Sequence, residues 1–205
     1  MSVKKPTRER ILQAAFELIS DKGFAGASTR EIAKRAGVAE VTLFRHFTSK
    51  ENLFRHTTQR HSTIPVLEEL IPTVIDKPLI EGITILVDAF LGRLSANKSW
   101  IRIFHMELQR DPETLRPMRQ EFLDELYLVC SCYFTEISNQ GSSVCCDPKL
   151  AAKIFVMLCY GFFHVEEMQL GNSCRSADNR PVVDAMVKMF CNGVAEQVLL
   201  NESPA

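Results

Sequence analysis

From Thr7 to Lys22 apolar residues recur at helical spacing, with Ile11, Ala15 and Leu18 on one line and Leu12, Phe16 and Ile19 beside it. The pattern predicts an amphipathic helix, and Gly23 supplies its stop, since glycine tolerates the left-handed backbone that ends helices. A second helix opens at STRE, where Ser28 and Glu31 are spaced as a capping box, and it breaks at Ala36-Gly37-Val38. A third spans roughly 40–47. Thr48 and Glu51 repeat the capping spacing and predict a longer fourth helix through Leu53 and Phe54.

Two short helices joined by a glycine-containing turn form a helix-turn-helix arrangement. Ala33 is small where the two helices approach, Gly37 supplies the turn, and Ile32, Val38, Leu43 and Phe47 close a small core against the first helix. The rest of the third helix is then Glu40, Val41, Thr42, Phe44, Arg45 and His46, a face suited to a groove of DNA.

Beyond residue 60 the chain reads as helix punctuated by Pro65, Pro72, Pro78, Pro112, Pro148 and Pro181. Helices are expected near 79–97, 99–109, 113–139, 148–170 and 181–200, with turns around Gly141-Ser142-Ser143 and over 171–179. Strand-like alternation is absent, so the expected class is all-α.

Composition changes this picture only through charge. At 205 residues, 46% hydrophobic and 24% charged, the chain is ordinary for a globular protein. Residues 1–60, however, hold 12 Lys/Arg against 6 Asp/Glu, while residues 61–205 hold 12 against 19. A basic head for a polyanion and an acidic body for another task follow. The basic start MSVKKPTRER leads into no signal-peptide run, and no stretch approaches a membrane-spanning length. The seven cysteines are therefore read as thiols in a reducing cytoplasm.

Residues 28–54, with STREIAKRAGV, TLFRHF and SKENLF, closely resemble the DNA-binding signature of the TetR family of transcriptional regulators. The resemblance implies a homodimer, heads over residues 1–55 that bind a palindromic operator in double-stranded DNA, and a larger helical body over 56–205 that binds a small-molecule effector. It places Thr29, Arg30 and Lys50 at phosphates, Glu40 and Val41 near base edges, and Thr42, Phe44 and His46 on the recognition helix. Arg45 is as readily a surface charge as a phosphate contact. Two residues depart from the family: Ala39 stands where a capping Ser is common, and Phe44 where Tyr is common.

For the body, Phe155, Cys159 and Phe163 make one apolar stripe, and Val183, Val187, Phe190, Val194 and Val198 make another over the last helix. Two such stripes suit a four-helix interface between two chains, and one face of each suits a monomer's core equally well. Phe90, Leu94, Trp100, Phe104, Met106 and Phe122, with Met157 and Phe162, supply large side chains for a mostly apolar ligand cavity, or simply fill a core. His105, Tyr127, His164 and Glu167 are its candidate polar anchors.

No nucleophile elbow or glycine-rich phosphate loop occurs, so no enzyme and no cofactor are expected. His164 and Glu167 share a helix face as metal ligands would, but ordinary packing accounts for them more cheaply. Cys130 and Cys132, followed by Cys145-Cys146, match no zinc spacing, so no metal site is expected. The rival reading from another class is a thiol- or metal-responsive DNA-binding sensor.

Overall fold

The structure, a computed structural model, describes residues 5–140 and 147–195, with side chains through residue 193. It contains ten α-helices and no strand among those residues: α1 (Thr7–Gly26), α2 (Thr29–Ala36), α3 (Glu40–Phe47), α4 (Lys50–His61), α5 (Ile64–Val74), α6 (Leu79–Ala96), α7 (Lys98–Arg110), α8 (Pro112–Asn139), α9 (Pro148–Phe163) and α10 (Arg180–Ala195). The all-α class holds. The turn expected at Gly141-Ser142-Ser143 lies outside the described residues, as do Cys145, Cys146 and Val198.

The chain divides into two compact units. The first takes the residues up to Ser62 together with Ser99–Gln120, and the second takes Thr63–Lys98 with the residues from Glu121 onward. In the first, α1 runs to Gly23, whose φ of 74° and ψ of 168° interrupt the helix before a last short turn to Gly26. Ile11, Leu12, Ala15 and Ile19 of α1 bury their stripe against Ile32, Ala33, Leu43 and Phe47. That cluster continues through Phe54 of α4 to Trp100 and Phe104 of α7. The indole of Trp100 stacks on Phe16 at 5.2 Å and lies 5.2 Å from Phe54, and its Nε1 donates to Thr58 Oγ1 at 3.3 Å. Phe104 stacks on Phe54 at 5.8 Å. Buried Glu107, from the next turn of α7, accepts from the amide of Phe24 at 3.2 Å, just past the break at Gly23.

Trp100 and Phe104 thus fill the core of the unit that carries the helix-turn-helix, not a cavity in the body. No local pattern ties them to α1 and α4, because the partners lie more than 40 residues upstream.

In the second unit α6 packs against α5, α9 and α10. An aromatic knot closes its core: Phe155 meets Phe90, Phe134 and Phe190 edge-on at 5.9–6.2 Å. Cys159 and Phe163 of α9, and Val183 and Val187 of α10, are buried in the same protomer. The residues expected as an interface stripe (Phe155, Cys159, Phe163, Val187 and Phe190) are therefore core residues, and the side chain of Val194 lies outside those described. The correction has a simple cause: α9 is apolar around most of its circumference, and the protomer uses one side of it.

The helical run Pro148–Leu170 is, against expectation, long and apolar enough to cross a membrane by length and composition. Its inward side is spent on the aromatic core, and its last turns are not α-helical. From His164 to Leu170 the backbone winds as a seven-residue π-helix that ends at Gly171, with φ 77°. Such segments are rare beyond a single turn. This one presents Glu167 inward, where its carboxylate accepts from Ser95 Oγ at 2.5 Å and from the amide and thiol of Cys174 at 3.2 and 3.0 Å. Neighbouring Glu166 accepts from Asn172 and Asn179 at 3.0 and 3.1 Å. Two adjacent glutamates thereby fasten the connection between the π segment and α10.

Candidate nucleic-acid interface

The helix-turn-helix is built by local capping. Ser28 Oγ accepts from the Glu31 amide at 3.2 Å, and Glu31 Oε2 accepts from the Ser28 amide at 3.2 Å, which closes the expected capping box. Lys22 bonds the other Glu31 oxygen at 2.8 Å. These bonds favour the ionised form and hold the Glu31 carboxyl at a pKa of about 2. At the other end Gly37, φ 67° and ψ 42°, turns the chain. Arg10 Nη1 donates to Ala36 O at 2.9 Å and satisfies a carbonyl that the helix end leaves open.

Recognition helix α3 begins at Ala39, whose side chain cannot cap. Its first residue, Glu40, instead places a carboxylate in the first turn, where the helix dipole favours negative charge. Thr29 Oγ1, on the first residue of α2, donates to Glu40 Oε1 at 2.6 Å and latches the N-termini of the two helices together. Leu43 and Phe47 are fully buried and anchor α3. On the opposite side Val41 is 75% and Phe44 40% exposed, beside exposed Arg45 and His46 and half-buried Thr42. Large apolar groups left in water next to cations are what a base-reading face requires.

The sequence put the cap of α4 on Thr48; the structure puts it on Ser49, which accepts from the Asn52 amide at 3.0 Å. Thr48 is the turn itself, with φ 52° and ψ −41°, a strained conformation for a β-branched residue. Asn52 Nδ2 steadies it by donating to Thr48 Oγ1 at 3.0 Å. The strain sits where α3 must be aimed relative to α4.

Electrostatically the head sorts its cations. Lys22, Arg35 and Arg60 pair with Glu31, Glu17 and Glu9 at 2.8, 2.6 and 3.2 Å. Arg30 and Arg45, both exposed, have no ion pair among the described residues. Lys50 is half-buried with its ammonium 4.6 Å from the centre of the Phe24 ring, and desolvation lowers its pKa. Of the expected phosphate contacts, Arg30 is the open cation and Thr29 is already engaged.

The expected ligand residues fall in both units. His105 is half-buried on α7 of the first unit, with Trp100 and Phe104. Phe90 is buried in the second, where Tyr127, Phe162 and His164 are half-buried and Met157 is 55% exposed. An apolar crevice of about 10 Å³ opens there between Ile83, Val87, Leu158, Met186 and the core faces of Phe155 and Phe190. It is one-water-sized, far below the roughly 300–1,000 Å³ of ligand pockets. Sequence reasoning missed the buried hydroxyl of Tyr133, which has no hydrogen-bond partner among the described residues, and burial pushes its pKa up to about 12. It also missed the outward side of α9 and α10. Leu150, Ile154, Met157, Leu158 and Val165 recur at helical spacing and are 38–55% exposed, beside Val182 at 49% and Met189 at 76%.

The cysteines are mostly quiet. Desolvation pushes the thiols of Cys174 and Cys191 up to about 11, that of Cys130 to about 12 and that of Cys159 well above its usual value. Thiolates, the reactive form, are disfavoured at all four. Cys132 alone among the described cysteines is exposed.

Comparison with known proteins agrees with this geometry at both ends of the chain. Residues 11–57 match the family model for bacterial regulatory proteins of the tetR family, and residues 83–193 match the C-terminal domain of AefR-like transcriptional repressors. The chain is 24% identical over 193 residues to an uncharacterized HTH-type transcriptional regulator, YvkB, of Bacillus subtilis, covering 93% of this chain and 98% of that one. A TetR-family transcriptional regulator from Mesorhizobium loti superposes with a TM-score of 0.74 at 25% identity, covering 91% of this chain and 96% of the other. The transcriptional regulator FadR of Bacillus subtilis, in complex with stearoyl-CoA, superposes with a TM-score of 0.67 at 19% identity, covering 91% and 98%.

Proposed function

The chain belongs to the TetR family of DNA-binding transcriptional regulators, and from that premise we propose that it is a cytoplasmic, homodimeric repressor of a palindromic operator, released by a small, mostly apolar ligand. The observation that carries the reading is the outward stripe of α9 and α10. A protomer that has already closed its core leaves Ile154, Met157, Leu158 and Val165 in water beside Val182 and Met189. Two copies of this helix pair, related by a two-fold axis, make a four-helix interface and bury all of them. The same axis relates two α3 helices, so the DNA they read is palindromic, with half-sites one helical turn or a multiple apart.

Support for the ligand is chemical. The second unit's core is aromatic and apolar, and among the described residues the buried hydroxyl of Tyr133 has no hydrogen-bond partner. A buried group of this kind costs about 1–3 kcal/mol, which a ligand's single polar atom recovers. A regulator of the same fold, FadR of Bacillus subtilis, forms a complex with stearoyl-CoA, which supports an acyl-bearing ligand for this fold. The match to a repressor's C-terminal domain favours repression over activation.

The test is sedimentation joined to operator binding. The wild type should sediment as a dimer at micromolar concentration and select a palindrome from a random duplex pool. Met189→Glu, at the most exposed site of the stripe, should give folded monomers that lose the palindrome. A monomeric wild type at that concentration refutes the dimer. Compounds that stabilise the protein against heat should also release the operator, less effectively in Tyr133→Phe; stabilisation without release refutes the switch.

A further inference from the structure

Glu40 puts a negative charge on the side of the head that meets a polyanion. Two exposed cations of the head, Arg30 and Arg45, have no ion pair among the described residues, yet neither bonds Glu40; its hydrogen-bond partner there is the hydroxyl of Thr29. A carboxylate aimed at phosphate repels it. A carboxylate aimed at base edges needs a donor.

We propose that Glu40 is the specificity-determining residue of the recognition helix and that it reads a cytosine, accepting a hydrogen bond from the exocyclic N4 amino group in the major groove. The proposal rests on the operator-binding reading above. Position comes first. Glu40 is the first residue of α3, and recognition helices present their N-terminal residues to base edges. Orientation is second. The 2.6 Å bond from Thr29 fixes a side chain that otherwise rotates freely, and it occupies one oxygen, Oε1. An ionised carboxylate accepts at both oxygens, so Oε2 remains available.

Complementarity decides the base. In the major groove guanine shows N7 and O6 and thymine shows O4, all acceptors that repel a carboxylate. Adenine offers its N6 amino group beside the acceptor N7, a pair suited to an amide and half-repulsive to a carboxylate. Cytosine offers N4 alone. Thr29 is then a positioning residue: its hydroxyl is spent on Glu40 and not on a phosphate.

A merely structural role for Glu40, balancing the dipole of a helix that Ala39 cannot cap, predicts different results. The experiment is selection of operators from a random duplex pool by the full-length wild type, Glu40→Gln, Glu40→Ala and Thr29→Val, followed by affinity measurements on single-base variants. The wild type should enrich a motif with one cytosine-specific position in each half-site. A good base contact discriminates by roughly fivefold to more than a hundredfold. Glu40→Gln keeps the size of the side chain and a partner for Thr29. It should shift that one position from cytosine to adenine, because an amide donates to N7 while accepting from N6. Glu40→Ala should accept all four bases there and leave other positions unchanged, and Thr29→Val should weaken the cytosine preference. If all three variants keep the wild-type motif and lose affinity uniformly, Glu40 serves the helix alone and the proposal is overturned. A wild-type motif with no cytosine position sensitive to Glu40 overturns it as well. Failure of the wild type to enrich any sequence is distinct from both, and removes the operator reading together with the proposal.

Discussion

Replacing Trp100 with alanine should unfold the DNA-binding unit, because this residue lies in its core although α7 follows the head by almost 40 residues. Trp100 is 3% exposed, stacks on Phe16 and packs on Phe54. Trp→Ala in a core costs about 3–5 kcal/mol through lost burial and the cavity left behind. Against a domain stability of roughly 5–15 kcal/mol, that is about a fifth or more of the total. In a unit of this size each kcal/mol moves the midpoint by about 4–8 °C, so a drop of at least about 12 °C is expected. Trp100→Phe keeps an aromatic ring and loses the bond from Nε1 to Thr58. Since Thr58 Oγ1 still donates to the Phe54 carbonyl at 2.9 Å, no polar group is orphaned and the cost falls to about 1–2 kcal/mol. Trp100 is the sole tryptophan, so its emission in the wild type reports this unit alone, while circular dichroism follows the variants. Loss of specific operator binding should track the fraction unfolded. A Trp100→Ala protein that melts within about 2 °C of wild type refutes the placement of α7 in the head's core.

Two further outcomes test the caps and the π segment. Glu31 titrates at about 2 when folded, below its ordinary value of 4.5, so its contribution is complete above pH 4.5 and is lost as pH falls from there toward 2. Glu31→Gln should therefore lower the melting temperature at neutral pH, converge on the wild type as pH falls toward 2, and so flatten the acid side of the profile; an unchanged acid limb refutes the assignment. At Glu167 burial raises the carboxyl pKa, but bonds from Ser95 and Cys174 outweigh it and the net direction is down. Glu167→Ala should release the Cys174 amide and speed its hydrogen exchange at least tenfold, as read by mass spectrometry; unchanged protection shows that the connection is held by something else.

How much of this was legible in the sequence depends on how local each determinant is. Ser28, Glu31 and Gly37 act on backbone groups within four residues, so spacing alone located α2 and its turn. The cap of α4 was displaced by one residue because Thr48 and Ser49 are adjacent hydroxyls and both fit the pattern. The structure decides between them: Thr48 takes the positive φ of the turn, and Ser49 is left extended to cap the Asn52 amide. The inward and outward stripes of α9 were indistinguishable for a related reason. Phe155, Cys159 and Phe163 repeat at the same period as Leu150, Ile154, Leu158 and Val165, and only the partners Phe90, Phe134 and Phe190 select the first set for the interior.

The place of Trp100 in the head's core bears on the ligand release proposed above. Lys98 and Ser99 are adjacent in the chain, yet Lys98 belongs to the second unit and Ser99 to the first. Glu167 grips this boundary from within the second unit, bonding Ser95 and lying 3.9 Å from the Lys98 ammonium. Two residues further on, Trp100 is fixed in the head's core. On the proposed function, a ligand that redistributes the packing of α9 would act on the π segment that continues it, and through Glu167 on Ser95 at the end of α6 and Lys98 at the start of α7. Allosteric couplings are typically about 1–3 kcal/mol, the same scale as one or two hydrogen bonds to a buried charge. The bonds at Glu167 are therefore of the size that the proposed switch requires, and they hold the end of α6 and the first residue of α7, the helix that carries Trp100 and Phe104.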